Sequence, residues 1–159
     1  MKKTAAAGVI LAVLIIIAFI LTQLSFLTVY AGEEIIYFNP ILNEDKEVVY
    51  QYTHSVERGP VREYFELTRE GFILYRTTFT SQGAGLPLDR GSFERENGLF
   101  VRSGLQEEVE VLQFRLSDQY REQFIEIGEK RLKMSEWGEA GRMIRMGMLD
   151  VREFLKFFP

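Results

Sequence analysis

His54 is the sole histidine of the chain, and there is no cysteine. Metal, acid–base or nucleophilic chemistry near neutral pH would therefore have to be assembled around one imidazole and the carboxylates beside it. Those neighbours are Glu57, three residues on, and Glu63. The stretch from Glu47 to Leu67 reads as two strands joined by a two-residue loop, Arg58-Gly59. That loop sets Val56 opposite Val61, His54 opposite Glu63, Tyr52 opposite Phe65 and Tyr50 opposite Leu67, all on one face. Glu57 then points to the other face, with Gln51, Thr53, Ser55, Arg62, Tyr64 and Glu66.

A His54–Glu63 pair within an apolar face has two readings. The structural one is a hydrogen-bonded pair that satisfies two polar groups and pins the strand register. The functional one is a contact site, in which imidazole and carboxylate meet a partner protein, a small ligand or a cation. One histidine and one glutamate fall short of the four protein ligands of a structural zinc site, so no metal is assigned. A hydrolase is equally short of parts. Ser55 adjoins His54 but points to the opposite face, Ser81 has no sequence-defined position relative to it, and no Gly-x-Ser-x-Gly elbow occurs. No catalytic residue and no cofactor are expected.

The elements that position these residues read as strands. Thirteen Phe and seven Tyr favour extended structure. Phe26–Tyr30 and Glu34–Phe38 form a first hairpin around Ala31-Gly32-Glu33, with Asn39-Pro40 ending its second strand. The central hairpin follows, then a strand from Phe72 to Thr80. Ser81-Gln-Gly-Ala-Gly-Leu-Pro-Leu88 leaves that strand as a loop in which Gly83 and Gly85 permit positive φ and Pro87 stiffens the exit. Without a Lys-Ser/Thr ending and a following helix it is no phosphate loop. It reads as an ordered structural or contact loop.

Asp89 to Asn97 reads as a charged surface excursion, followed by short strands at Leu99–Arg102 and Glu108–Arg115. Ser117–Arg121 reads as a helical turn or cross-connection. Gln123–Ile127 and Arg131–Met134 form a further hairpin, a loop holds Trp137, and Arg142–Val151 is a last strand. The tail, with Phe154, Leu155, Phe157 and Phe158, is either a closing element packed on the core or an exposed patch for a partner or membrane surface. The expected fold is all-β, an antiparallel sandwich or barrel of about 8–10 short strands.

Ahead of this domain, Lys2-Lys3 precedes an uncharged apolar run from Ala5 to Leu21. With Thr22 to Leu24 it is long enough to cross a bilayer as a helix of about 20 residues. Residues 1–24 thus read as an N-terminal signal anchor or transmembrane helix, and 25–159 as an extracytoplasmic β domain. The two lysines keep the N-terminus in the cytoplasm and put the domain outside, periplasmic or extracellular. The rival reading is a signal peptide cleaved after Ala31. That cut would remove one strand of the first hairpin. Lys2 and Lys3 are the only charges before Glu33, so 17 basic and 23 acidic residues remain, a balance of −6. An acidic domain without a basic stripe argues against nucleic acid.

Tyr52-Thr-His-Ser-Val-Glu57, followed by Pro60-Val61 and Glu63, resembles the signature of a family of small exported prokaryotic proteins catalogued as domain of unknown function 1850. Thr80-Ser-Gln-Gly-Ala-Gly-Leu-Pro87 resembles that family's second signature. Members are typically encoded beside, or joined to, tripartite ATP-independent periplasmic (TRAP) transporters of the TAXI type. The resemblance therefore implies a non-enzymatic accessory protein that touches a TRAP transporter membrane subunit or a TAXI-type binding protein. The contact residues it points to are His54, Glu57, Glu63, Gly83, Gly85 and Pro87. The alternatives are a periplasmic small-ligand or cation-binding domain using His54 and Glu63, and a periplasmic hydrolase.

Overall fold

The computed structural model describes residues 10–17, 19–20, 24–41, 47–81, 91–118 and 123–158. Eleven strands occur among them: β1 (Ser25–Ala31), β2 (Glu34–Ile41), β3 (Glu47–Thr53), β4 (Pro60–Leu67), β5 (Phe72–Phe79), β6 (Ser92–Glu96), β7 (Leu99–Val109), β8 (Val111–Arg115), β9 (Phe124–Ile127), β10 (Lys130–Lys133) and β11 (Met143–Asp150). All pair antiparallel, in a four-stranded sheet ordered β2-β1-β11-β8 and a seven-stranded sheet ordered β10-β9-β3-β4-β5-β7-β6. A 3-10 turn at Met134–Glu136 and a helix at Val151–Leu155 complete the described elements of the β domain.

Period-two alternation sends one set of side chains from each sheet into a shared core. Leu27 and Val29 of β1, Leu112 and Phe114 of β8, and Ile144 and Met146 of β11 meet Val48 of β3, Phe65 and Leu67 of β4, and Ile125 and Ile127 of β9. Met134 and Trp137 join the same core. The chain is thus all-β, two antiparallel sheets on one core. Pro40 lies within β2, opposite Phe26, rather than ending it. β2 is an edge strand, where a missing N–H costs no ladder bond.

Three sequence expectations need correction. First, β3 and β4 pair Val48 with Phe65, Tyr50 with Glu63, Tyr52 with Val61 and Thr53 with Pro60. The faces are as expected, but every cross-strand partner is displaced, and His54 does not oppose Glu63. An Arg-Gly two-residue loop needs positive φ at both positions, as in a type I′ turn, because the type II′ alternative calls for Gly at the first. Here Arg58 has φ +53 while Gly59 is absent from the positive-φ residues. The strands are instead joined by six residues, closed by His54 N donating to Gly59 O and Arg58 N donating to His54 O, both 2.9 Å.

Second, the supposed excursion before Asn97 contains β6, which hairpins onto β7 through Asn97 (φ +52) and Gly98 (φ +84). Third, β7 runs unbroken from Leu99 to Val109 where a loop between two short strands was expected. After Glu110 the chain crosses into the other sheet as β8.

The tail closes the fold as a helix capped by Asp150, whose Oδ1 accepts from Glu153 N at 2.7 Å, with Phe154 buried. In the leader, residues 10–17 and 19–20 are helical and exposed. Among the described residues no helix is long and apolar enough to cross a membrane. The rest of the expected span, like positions 83, 85 and 87 of the glycine loop and 119–121 of the expected cross-connection, lies outside the described residues.

Candidate functional site

The turn between β3 and β4 is built around His54. The backbone N–H of Glu57 donates to His54 Nδ1 at 3.2 Å. An accepting Nδ1 leaves the proton of the neutral ring on Nε2, so His54 presents a single N–H donor. No serine hydroxyl hydrogen-bonds His54 among the described residues, and Ser55 is exposed. The nucleophile–base contact a serine hydrolase requires is not among the contacts His54 makes there.

Glu57 links the two halves of the site. Its Oε2 accepts from the Ser81 hydroxyl at 2.7 Å. Ser81 is the first residue past Thr80 at the end of β5 and the root of the glycine loop. Close packing reinforces this bond, because a Cβ built on Gly59 would fall 2.1 Å from Thr80 Oγ1. The His54 turn and the start of the loop are therefore held together, although 24 residues separate Glu57 from Ser81.

Gly59→Ala is expected to cost about 1–3 kcal/mol, the usual penalty of forcing a methyl group into a filled space. Thr80→Ala should restore most of that loss, because it removes the obstructing hydroxyl. Urea melts of both single variants and the double variant measure the coupling. Additive losses would mean that Gly59 and Thr80 do not touch.

Glu63 sits elsewhere on the core-facing side of the seven-stranded sheet. Its ladder neighbours are Tyr50 on β3 and the buried Thr77 on β5. Tyr52 donates its hydroxyl to Glu63 Oε1 at 3.3 Å. Tyr50 and Tyr52 stack with centroids 5.0 Å apart, Tyr50 packs on Phe114 at 4.4 Å, and Gln123 Nε2 donates to the Tyr50 hydroxyl at 3.4 Å. Burial pushes the Glu63 carboxyl above its ordinary range; the Tyr52 hydrogen bond opposes this and the charge of Glu107 adds to it. Burial and the Glu63 charge in turn raise both tyrosines. The expected His54–Glu63 pair is thus replaced by two separate arrangements, an imidazole in a turn and a carboxyl among tyrosines.

A cleft of ≈ 770 Å³ opens beside the turn, lined by Tyr52, His54, Ser55, Arg115, Asp118 and Gln123 among others. A second, of ≈ 1100 Å³, shares Asp118 and Gln123 and reaches the outer face of the seven-stranded sheet. There Glu126 binds Arg62 (2.7 Å) and Arg131 (2.8 Å to Nε), and Arg131 lies over the Phe124 ring at 4.1 Å. Among the described residues no three His, Asp or Glu side chains are grouped to hold a metal ion.

Sequence reasoning did not place Tyr52 with Glu63, Ser81 with Glu57, or Asp118 beside His54. The Tyr-Gln-Tyr spacing that puts Tyr50 and Tyr52 on one face was a usable signal for the tyrosine–carboxyl cluster. Nothing local marks Ser81 as the partner of Glu57.

A family model described as Domain of unknown function (DUF1850) matches residues 48–134, more than half of the chain. The match takes in the His54 turn, the Tyr50–Tyr52–Glu63 cluster and the root of the glycine loop. No curated protein and no solved structure matches the chain.

Proposed function

The chain belongs to the domain of unknown function 1850 family, and from that premise we propose that it is a membrane-anchored, extracytoplasmic accessory protein of a TAXI-type tripartite solute transporter. It acts by protein–protein contact and not by catalysis. Residues 1–24 anchor it with the N-terminus inside, and the β domain meets the transporter's membrane subunit or its binding protein. The observation that carries the reading is the Ser81–Glu57 hydrogen bond. It ties the His54 turn to Ser81, within the second family motif, and the contact surface we propose combines that turn with Gly83, Gly85 and Pro87. Fixing the His54 turn against Ser81 before a partner arrives lowers the entropic cost of binding.

The test is purification of the tagged full-length protein from native membranes after mild crosslinking, with identification of what accompanies it. A transporter subunit or TAXI-type binding protein should be recovered. Glu57→Ala should lower that recovery about tenfold, the effect of losing about 1.4 kcal/mol of contact energy. Recovery of the protein alone, or undiminished recovery with Glu57→Ala together with Gly83→Val and Gly85→Val, would count against the proposal.

The ≈ 770 Å³ cleft beside His54 supports a second reading, a small-ligand or cation-binding domain. In that reading His54 acts with Asp118, since Glu63 and Tyr52 are engaged with each other. Native mass spectrometry should then find a bound species that His54→Ala loses while still folded.

A further inference from the structure

Alternation along β1, β2 and β11 that sends Leu27, Val29, Ile144 and Met146 inward sends Phe26, Tyr30 and Phe38 to the outer face of the four-stranded sheet. The C-terminal helix lies across that face. Phe154 stacks on Phe26 with centroids 4.2 Å apart and meets Phe38 at 5.1 Å and Phe158 at 5.3 Å. Phe157 meets Tyr30 edge-on at 5.5 Å. The covering is partial, because Phe38 remains 49%, Leu155 59% and Phe158 56% exposed. Large apolar side chains grouped in this way mark a binding surface more often than single ones do.

Charge and connectivity identify what would cover it. Arg145 lies opposite Tyr30 in the β1–β11 ladder, and Arg152 and Lys156 are exposed on the helix. Of the acids on the helix and its cap, Asp150 is engaged in capping and Glu153 is exposed. This face thus gathers cations in a domain whose overall balance is −6. The chain also enters the domain here. Ile10, Leu14, Ile16, Phe19 and Ile20 of the helical leader are all more than half exposed. From residue 20 the backbone can extend at most about 14 Å before Leu24, and Phe26, the second residue of β1, lies on this same face. An apolar helix whose described large side chains are mostly exposed, tethered that close to an aromatic, cationic face, calls for one shared environment, a lipid bilayer.

We infer that the outer face of the four-stranded sheet docks on the membrane surface. Phe38, Leu155 and Phe158 enter the boundary between headgroups and acyl chains, and Arg145, Arg152 and Lys156 lie among anionic headgroups. The inference rests on the anchoring proposed above and adds an orientation to it: the seven-stranded sheet faces away from the bilayer.

Because the chain lacks cysteine, single labels are clean. Full-length Glu153→Cys and Glu66→Cys proteins, each carrying an environment-sensitive fluorophore, are reconstituted into phosphatidylcholine–phosphatidylglycerol vesicles containing a quencher in the acyl region. Residue 153 is on the helix, whereas Glu66 is exposed on the outer face of the opposite sheet, since its neighbours Phe65 and Leu67 point into the core. Fluorescence should be lost at 153 and retained at 66. Adding Phe38→Ser, Leu155→Ser and Phe158→Ser should abolish the loss at 153, and circular dichroism checks that this variant folds. Flotation after an alkaline wash reports the anchor separately. Protein that floats without quenching at 153, or with equal quenching at both positions, overturns the docking and spares the anchor. Protein that does not float overturns both.

Discussion

Gly71→Ala should remove about 3–5 kcal/mol of stability, a large share of what a domain of this size possesses. Gly71 lies in the turn between β4 and β5, where its carbonyl accepts from Thr68 N at 2.9 Å. Its φ is +149, and a Cβ built there would lie 2.4 Å from Val109 O and 2.7 Å from Glu110 Cα. Both are backbone atoms, which cannot rotate aside. They also belong to the point where the chain leaves β7 in one sheet to become β8 in the other. The variant therefore forces apart the turn and the crossover that joins the two sheets. Gly104→Ala is the comparison, because its φ of +72 imposes strain but no atom lies within 4 Å of the added methyl. That change should cost about 1–2 kcal/mol, the left-handed penalty alone. Equal losses in urea melts of the two variants would mean that the Gly71 approach does not matter.

The same crossover shows where sequence reading stops. Alternation identified the core faces of β3 and β4 correctly, because Tyr50, Tyr52, Phe65 and Leu67 do share a face. It could not fix the register, since sliding a strand by two residues leaves every side chain on its original face. The loop decides the register: Arg58 is left-handed but Gly59 is not, so the chain closes a six-residue turn and not a two-residue one. Likewise, Glu110 carries no local mark of a change of sheet. β7 and β8 both alternate acceptably, and the close approach of Gly71 to Val109 and Glu110 at the crossover is a tertiary contact that no local pattern marks.

The candidate site was legible as motifs and illegible as geometry. His54 and Glu57 lie in one turn, so their closeness follows from three residues of separation. The partnership of Glu57 with Ser81, and of Glu63 with Tyr52, depends on tertiary placement of strands whose pairing order no local pattern encodes. This divides the roles of the two carboxylates. Glu57 faces the turn and Ser81, beside the surface proposed to meet a partner. Glu63 belongs to the interior, and its expected consequence is on stability.

Glu63→Gln should stabilise the protein at neutral pH and leave it unchanged in acid. In the unfolded chain the carboxyl releases its proton near its ordinary value of 4.5; in the folded protein burial holds that proton to higher pH. Between the two values the folded state binds more protons than the unfolded state. Stability therefore falls as pH rises from about 4.5 through the folded value, and the cost is absent below that window. Glutamine keeps an oxygen for the Tyr52 hydroxyl but cannot ionise. The gain over wild type should therefore be near zero below pH 4.5, grow across the window and level off above it. Tyr52→Phe should do the reverse. Without the hydroxyl that donates at 3.3 Å, the ionised carboxylate loses a hydrogen bond worth about 1.5 kcal/mol, so the loss should be larger at neutral pH than in acid. Denaturant melts of wild type and both variants from pH 4 to 8 make the comparison. A Glu63→Gln difference independent of pH would show that Glu63 ionises as freely in the folded protein as in the unfolded chain, and that the cluster with Tyr50 and Tyr52 does not withdraw it from water.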